Sequence, residues 1–256
     1  MILVYLENIQ TSENILISAS KLATQLGKSF GVVRFAASDE MKVAFHVETI
    51  EKLNELRIND FSIHIELNKI QNLSTFCEEF DTSFLFLQLS DYKSKKIQVL
   101  LTACRQLRIP YILFKDIYAV LDVSKVIVPV TFLEEEIEKA QFASAFGRFC
   151  DSEIFILTAK DYGSKAANTT AKMKELFDKF NFKYSVRKAE KDSFKVEKEA
   201  LQLAENENSG IIIITASRDY GLDDILFGPK ELHFIKKSIL PILLVNPRGD
   251  LYALCD

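Results

Sequence analysis

Gly210-Ile-Ile-Ile-Ile-Thr215, the loop Ala216-Ser-Arg-Asp-Tyr-Gly-Leu-Asp-Asp-Ile-Leu-Phe-Gly228-Pro229 and the run Leu240-Pro-Ile-Leu-Leu-Val245 together decide the fold. The first run is short, wholly apolar and β-branched, the composition of a strand buried on both faces of a parallel sheet. A polar, glycine-punctuated loop follows it, then a helix-compatible segment from Pro229 to about Ser238, then a second apolar run. Strand, loop, helix, strand is a βαβ unit. In such units a ligand sits where the carboxyl end of a strand feeds a helix N-terminus.

Working outward, the same alternation fills the chain. Strands are expected at Ile2–Leu6, Phe30–Ala36, Phe61–Leu67, Ser83–Leu89 and Pro110–Phe114. Helical periodicity separates them, at Ser12–Leu26, about Val47–Leu56, Leu73–Glu79 and Lys95–Leu107. The order then restarts with strands at Val126–Val130, Glu153–Thr158 and Tyr184–Arg187, and helices at Glu134–Phe149, Ala166–Phe180 and Phe194–Asn206. Ile2-Leu-Val4 has its cognate in Val126-Ile-Val128, and Arg108-Ile-Pro-Tyr-Ile-Leu-Phe114 in Ile239-Leu-Pro-Ile-Leu-Leu-Val245. A period of roughly 125 to 130 residues is the size of one domain. The expected architecture is therefore α/β: two tandem, open, parallel five-stranded sheets with helices on both faces and right-handed crossovers. The expected domains are 1–120 and 121–256.

These residues resemble the universal stress protein family, over nearly the whole chain. In that family a strand ends in Gly-x-x-Gly, nine residues intervene, and Gly-Ser or Gly-Thr opens the last helix before a Pro-Val-rich strand. Aligned on the closing pair, Gly228-Pro229 takes the Gly-Ser place and Pro241-Ile-Leu-Leu-Val245 the final strand, while the two earlier glycines fall on Thr215 and Arg218. The resemblance implies a Rossmann-like fold of the adenine nucleotide alpha hydrolase type. It also implies that the two halves associate much as two single-domain members do in the family dimer, with a further homodimer possible.

The resemblance implies an ATP site, and the residues at its positions depart from the family pattern. A phosphate cradle needs glycine because backbone N–H groups must approach the anion closely, and a Cβ blocks that approach. Arg218 stands where a glycine would lie against the phosphates, and Pro229 removes a hydroxyl and an N–H from the helix start. Proline is itself comfortable there. The aspartate that ATP-binding members carry after the first strand is Thr131 in the second half and Glu7 in the first. The first-half loop, Gln88-Leu-Ser-Asp-Tyr-Lys-Ser-Lys-Lys96, has no glycine. The nucleotide positions carried over are thus Thr131, Thr215, Arg218, Gly228 and Pro229, with Ser217 and Lys230 as further anion contacts. No resident cofactor is expected beyond weak binding of ATP or another adenine nucleotide. On the loop argument alone, changing Thr215→Gly, Arg218→Gly and Pro229→Ser together is expected to raise ATP affinity.

Other chemistry is thin. Arg218 could hold an anion by charge, or pair with Asp219, Asp223 or Asp224; that acidic run is otherwise solvated surface. His46, His64 and His233 lack metal-ligand spacing, and no Gly-x-Ser-x-Gly elbow or Walker lysine loop occurs. No catalytic or metal-binding residue is expected. Runs such as Glu134-Glu-Glu136 suggest solvated helix surface. Cys77, Cys104, Cys150 and Cys255 form no Cys-x-x-Cys, so free thiols are expected, with Cys104 a buried inert one.

The 256 residues are 48% hydrophobic and 27% charged, with mean hydropathy +0.06, the balance of a soluble globular protein. A formal net charge of -4 points away from a nucleic-acid surface. No apolar run approaches the ~18 to 20 residues of a membrane helix. The N-terminus suggests a strand and not a signal peptide. The expectation is a cytoplasmic, non-enzymatic, stress-type regulatory protein acting through an unidentified protein partner. The alternative is an adenine-nucleotide-binding switch.

Overall fold

The structure, a computed structural model, describes residues 1–67, 70–206, 210–217 and 229–248. Among them, Met1–Leu121 together with a helix running to Lys236 form one compact unit, and 122–217 with 237–248 form another.

The first unit holds β1 (Ile2–Tyr5), α1 (Glu13–Gln25), β2 (Phe30–Phe35), α2 (Asp39–Glu55), β3 (Phe61–Glu66), α3 (Leu73–Glu79), β4 (Phe84–Leu89), α4 (Ser94–Cys104) and β5 (Tyr111–Lys115). Its strands lie in the order β3-β2-β1-β4-β5, all parallel. The second unit holds β6 (Lys125–Val130), α5 (Lys139–Phe149), β7 (Glu153–Thr158), α6 (Lys165–Lys179), β8 (Tyr184–Lys188), α7 (Val196–Asn206), β9 (Ile211–Thr215) and β10 (Ile242–Val245). Their order is β8-β7-β6-β9-β10, again parallel. The helix α8 (Lys230–Lys237) comes between β9 and β10 in the chain. Up to Lys236 it groups with the first unit, where the Lys115 ammonium donates to the Lys236 carbonyl at 3.0 Å and Lys236 Nζ reaches Ser94 Oγ at 3.0 Å. An ammonium on a helix C-terminus is favoured by the orphan carbonyls there.

The two central strands are built alike. Ile2 of β1 stands between Phe30 and Phe84, and Val126 of β6 between Ile154 and Ile211. β1, β4, β5, β9 and β10 are buried along their whole length, as expected for strands covered on both faces. The strand expectations are met within one or two residues. The main difference is α2, which starts at Asp39 and not near Val47. The Ser38 hydroxyl caps it by accepting from Met41 N at 3.3 Å, and Asp39 and Glu40 follow in the first turn. Its apolar residues Met41, Val43 and Val47 are exposed, so the start carries no core-facing periodicity.

Helix ends explain how the chain manages with eight glycines. After α2, α3 and α6 the turn residue is Arg57, Asp81 and Asn181, each at φ between 44° and 56°. In each case the next N–H bonds back into the helix: Ile58 to Leu53 O, Thr82 to Cys77 O and Phe182 to Phe177 O, at 2.9 to 3.0 Å. This is the Schellman closure, with Asp and Asn tolerating the left-handed region that glycine usually fills. No helix among the described residues is long and apolar enough to cross a membrane. Cys77, Cys104 and Cys150 form no disulfide among the described residues; Cys104 is fully buried, and burial pushes its thiol pKa well up.

Among the described glycines, Gly210, just before β9, is the one whose added Cβ would meet backbone. A Cβ there would lie 1.3 Å from the Asp122 carbonyl oxygen, and its N–H donates to Lys125 O at 3.2 Å. Gly210→Ala must therefore push β9 off the strand that leads into β6. The expected cost is about 2 to 3 kcal/mol by urea unfolding followed by circular dichroism. A change within about 0.5 kcal/mol would contradict this packing.

Candidate functional site

In a sheet of this order the chain leaves the central strand toward one side and returns on the other. The crevice at the switch lies outside the carboxyl ends of β1 and β4 in the first unit, and of β6 and β9 in the second. A bound anion there would be met by backbone N–H groups at the strand ends.

In the first unit the two N–H groups just after β1 are already bonded. Gln88, next to last in β4, is fully buried. Its Oε1 accepts from Glu7 N and Asn8 N, both at 2.9 Å, and its Nε2 donates to Asn8 O at 2.8 Å and Asp116 Oδ1 at 2.9 Å. Thr11 Oγ1 lies 3.2 Å from Nε2 and donates to the other Asp116 oxygen at 2.6 Å. The carboxamide thus bridges the loop after β1 and the end of β5. Glu7, which stands at the family aspartate position, is held by Lys96 Nζ at 2.5 Å and receives Tyr5 OH at 3.4 Å. Burial and the Glu7 carboxylate push the Tyr5 phenol pKa up, keeping it a donor. The protein's own side chains thus occupy the N–H groups after β1, while Ser90 Oγ, just beyond β4, has no hydrogen-bond partner among the described residues.

The second unit reaches the same condition differently. The β6–β7 ladder runs through Pro129↔Leu157 to Val130↔Thr158, but that of β6 with β9 covers Val126↔Ile211 and Ile127↔Ile212. Pro129 has no N–H to continue it. Its carbonyl accepts instead from Lys139 Nζ, at the first turn of α5. Lys139 also pairs with Glu136 Oε2 at 2.5 Å, and both side chains are fully buried. The same Glu136 oxygen accepts from Thr131 N at 3.2 Å, and Thr131 Oγ1 accepts from Leu133 N at 3.3 Å. Nearby, Ser193 ties the loops after β6, β7 and β8 together: its hydroxyl accepts from Phe132 N at 2.8 Å and donates to Asp161, which also takes Ser193 N.

The residues expected from the sequence are distributed as follows. Thr131 is buried at the crevice, and its N–H and hydroxyl are both engaged locally. Thr215 ends β9, is 2% exposed, and its Oγ1 has no hydrogen-bond partner among the described residues; Glu136 Oε1 has none either. Ser217 is half-buried just beyond. Pro229 is buried and its carbonyl accepts from Leu232 N at 2.9 Å, while Lys230 is exposed at the start of α8. Arg218 and Gly228 lie outside the described residues, as do Asp219, Asp223, Asp224 and Cys255.

The residues that hold the backbone groups at the crevices, Gln88, Glu136 and Lys139, are not among those expected from the sequence. Glu136 belongs to a run expected to be solvated and is instead buried, because Lys139 three residues on neutralises it. Signals for both plugs do exist: a lone glutamine inside Phe84-Leu-Phe-Leu-Gln-Leu89 and a proline inside Lys125-Val-Ile-Val-Pro-Val130. Among the described residues no group of three His, Cys, Asp or Glu could hold a metal ion. His64 packs between Phe80 and Phe76, at 4.2 and 5.4 Å between ring centroids, and burial lowers its pKa.

No family model and no curated protein matches the chain. Solved structures do. A universal stress protein from Archaeoglobus fulgidus is similar with a TM-score of 0.74 at 16% identity, covering 97% of both chains. A putative universal stress protein from Pseudomonas aeruginosa follows at 0.57 and 10%, covering 99% of this chain and 95% of that one. A functionally unknown protein from the same species gives 0.56 and 12%, with 99% and 94% covered. At these identities the likeness establishes the fold, and it extends over nearly the whole chain.

The buried pair gives a direct test. Lys139→Met leaves the Glu136 carboxylate buried without its cation and is expected to cost about 3 to 5 kcal/mol. Adding Glu136→Leu should recover part of that loss, because it removes the uncompensated charge, while Thr131 N and the Pro129 carbonyl stay without the partners the pair supplied. Chemical denaturation of the two single variants and the double gives the coupling energy; additive losses would show that the two charges do not act as a pair.

Proposed function

We propose that this chain is a non-enzymatic regulatory protein of the universal stress type, with two such domains in tandem, which acts by binding a protein partner and has lost family-type ATP binding in both halves. The observation that carries this reading is that side chains of the chain itself already hold backbone groups at both switch crevices, Gln88 in one unit and Glu136 with Lys139 in the other. A phosphate entering the first crevice would have to displace the carboxamide that already satisfies Glu7 N and Asn8 N, leaving that carboxamide buried and unpaired. In the second it would meet a carboxylate and a threonine N–H already spoken for. The loop departures at Thr215, Arg218 and Pro229 point the same way. Cys77, Cys104 and Cys150 form no disulfide among the described residues, which fits a reducing compartment such as the cytoplasm.

One observation favours the second reading, an adenine-nucleotide-binding switch in the C-terminal crevice. Thr215 Oγ1 and Glu136 Oε1 are buried without partners there, and a ligand bearing donor groups would satisfy them. The two readings part on one experiment: mass spectrometry of small molecules released from freshly purified protein, then calorimetric titration with ATP. The proposal expects an empty protein and no heat; retained nucleotide or micromolar affinity would establish the switch. A further outcome follows from the plug. Thr215→Gly, Arg218→Gly and Pro229→Ser together should give no gain while Glu136 and Lys139 fill the crevice. Adding Glu136→Ala and Lys139→Ala should raise ATP affinity at least about tenfold over the loop change alone. A full gain from the loop change alone would show that the pair is no obstacle.

A further inference from the structure

Among the described residues β3 in the first unit and β8 in the second each pair with a strand on one side only. Beside each strand a cleft opens against the neighbouring helix. The one between α2 and β3 has a volume of about 440 Å³ and is lined by Val43, Val47, Ile63 and Glu66; the one between α6 and β8 has about 340 Å³, with Ala167, Ala171, Lys174 and Val186. Both edges show apolar side chains to solvent. Val43 is 68% exposed and Val47 48%, while Phe180 is 49% and Val186 42%.

Their charges are opposite. Across residues 39–67 acidic side chains outnumber basic ones seven to three, and across 165–191 basic side chains outnumber acidic ones eight to three. All eight basic residues of the second edge are exposed. Among the described residues internal pairing takes up a part of this: Glu48 is matched by Arg34, Glu55 by Lys52, Lys165 by Glu134 at 4.0 Å, and Lys183 by Asp151. Charges along an exposed edge ordinarily prevent strand addition. Here they prevent like edges from meeting, β3 on β3 or β8 on β8, and favour the unlike pair.

We propose that the α2–β3 edge of one molecule docks on the α6–β8 edge of a second copy, joining strand to strand with the two clefts interlocked and the opposite charges facing. The contact is heterologous, so every associated pair leaves one acidic and one basic edge free, and association continues until a ring closes or the chain of molecules ends in solution. The occupant is a second copy because the complementary surface is present on this same chain. The inference stands whether or not either crevice binds nucleotide.

Sedimentation velocity tests it with the full chain. At about 20 mM salt, where charges act over tens of ångströms, the average mass should rise with concentration above 29.2 kDa, and at about 1 M it should fall back to that value. Reversing one edge with Glu51→Lys, Glu55→Lys and Glu66→Lys, or the other with Lys174→Glu, Arg187→Glu and Lys188→Glu, should each weaken self-association at least about tenfold. An equimolar mixture of the two variants contains one native acidic and one native basic edge and should associate again, which a misfolded variant could not do. Should either variant lose its circular dichroism signature, amide exchange on the wild type decides: β3 and β8 amides should slow as concentration rises. A single 29.2 kDa species at low salt, association indifferent to the reversals, or edge amides that do not slow would each overturn the proposal.

Discussion

Once a parallel sheet is covered on both faces, each N–H and carbonyl at its strand ends must find a partner, because water no longer reaches them. In this protein that constraint shapes the carboxyl ends of both central strands. One buried carboxamide takes two N–H groups and returns its own protons to a carbonyl and a carboxylate. One buried ammonium takes the proline carbonyl and a carboxylate that in turn caps Thr131 N. The first solution is neutral at its centre and the second is an ion pair, yet both satisfy backbone groups at the switch point from within the chain. Because a buried pair is costly to break from one side only, such plugs hold their shape.

The fold was legible because it rests on redundant signals. Wholly apolar five-residue runs, helical periodicity and a recurring order placed nearly every element, and Ile211–Thr215 and Ile242–Val245 form where the opening stretch requires. α2 escaped because Met41, Val43 and Val47 face solvent, so its apolar periodicity carries no information about a core. Ser38 followed by Asp39 and Glu40 was the available signal.

The site was legible only as a set of departures. Thr131 and Thr215 do lie at the second crevice, because position relative to a strand end follows from the strand itself. What fills the crevices did not follow. Gln88 acts through residues 28 and 80 positions away, and no local pattern encodes such a partnership. Glu136 and Lys139 sit at a spacing that suggests a surface pair on any helix; tertiary partners distant from that pattern, the Pro129 carbonyl for the ammonium and Thr131 N for the carboxylate, hold them inside. Two dissimilar plugs in units of the same strand order show that the fold constrains where polar groups must be satisfied and leaves open by what.

The central claim is that the crevices are closed by bonds internal to the chain, and site-resolved amide hydrogen exchange at Glu7, Asn8 and Thr131 tests it most directly. If Gln88 and Glu136 hold these N–H groups as described, their exchange should be as slow as that of the buried strands β1 and β9, and saturating ATP with magnesium should leave it unchanged. Fast exchange at these three amides, or protection that appears only with nucleotide, would contradict the account.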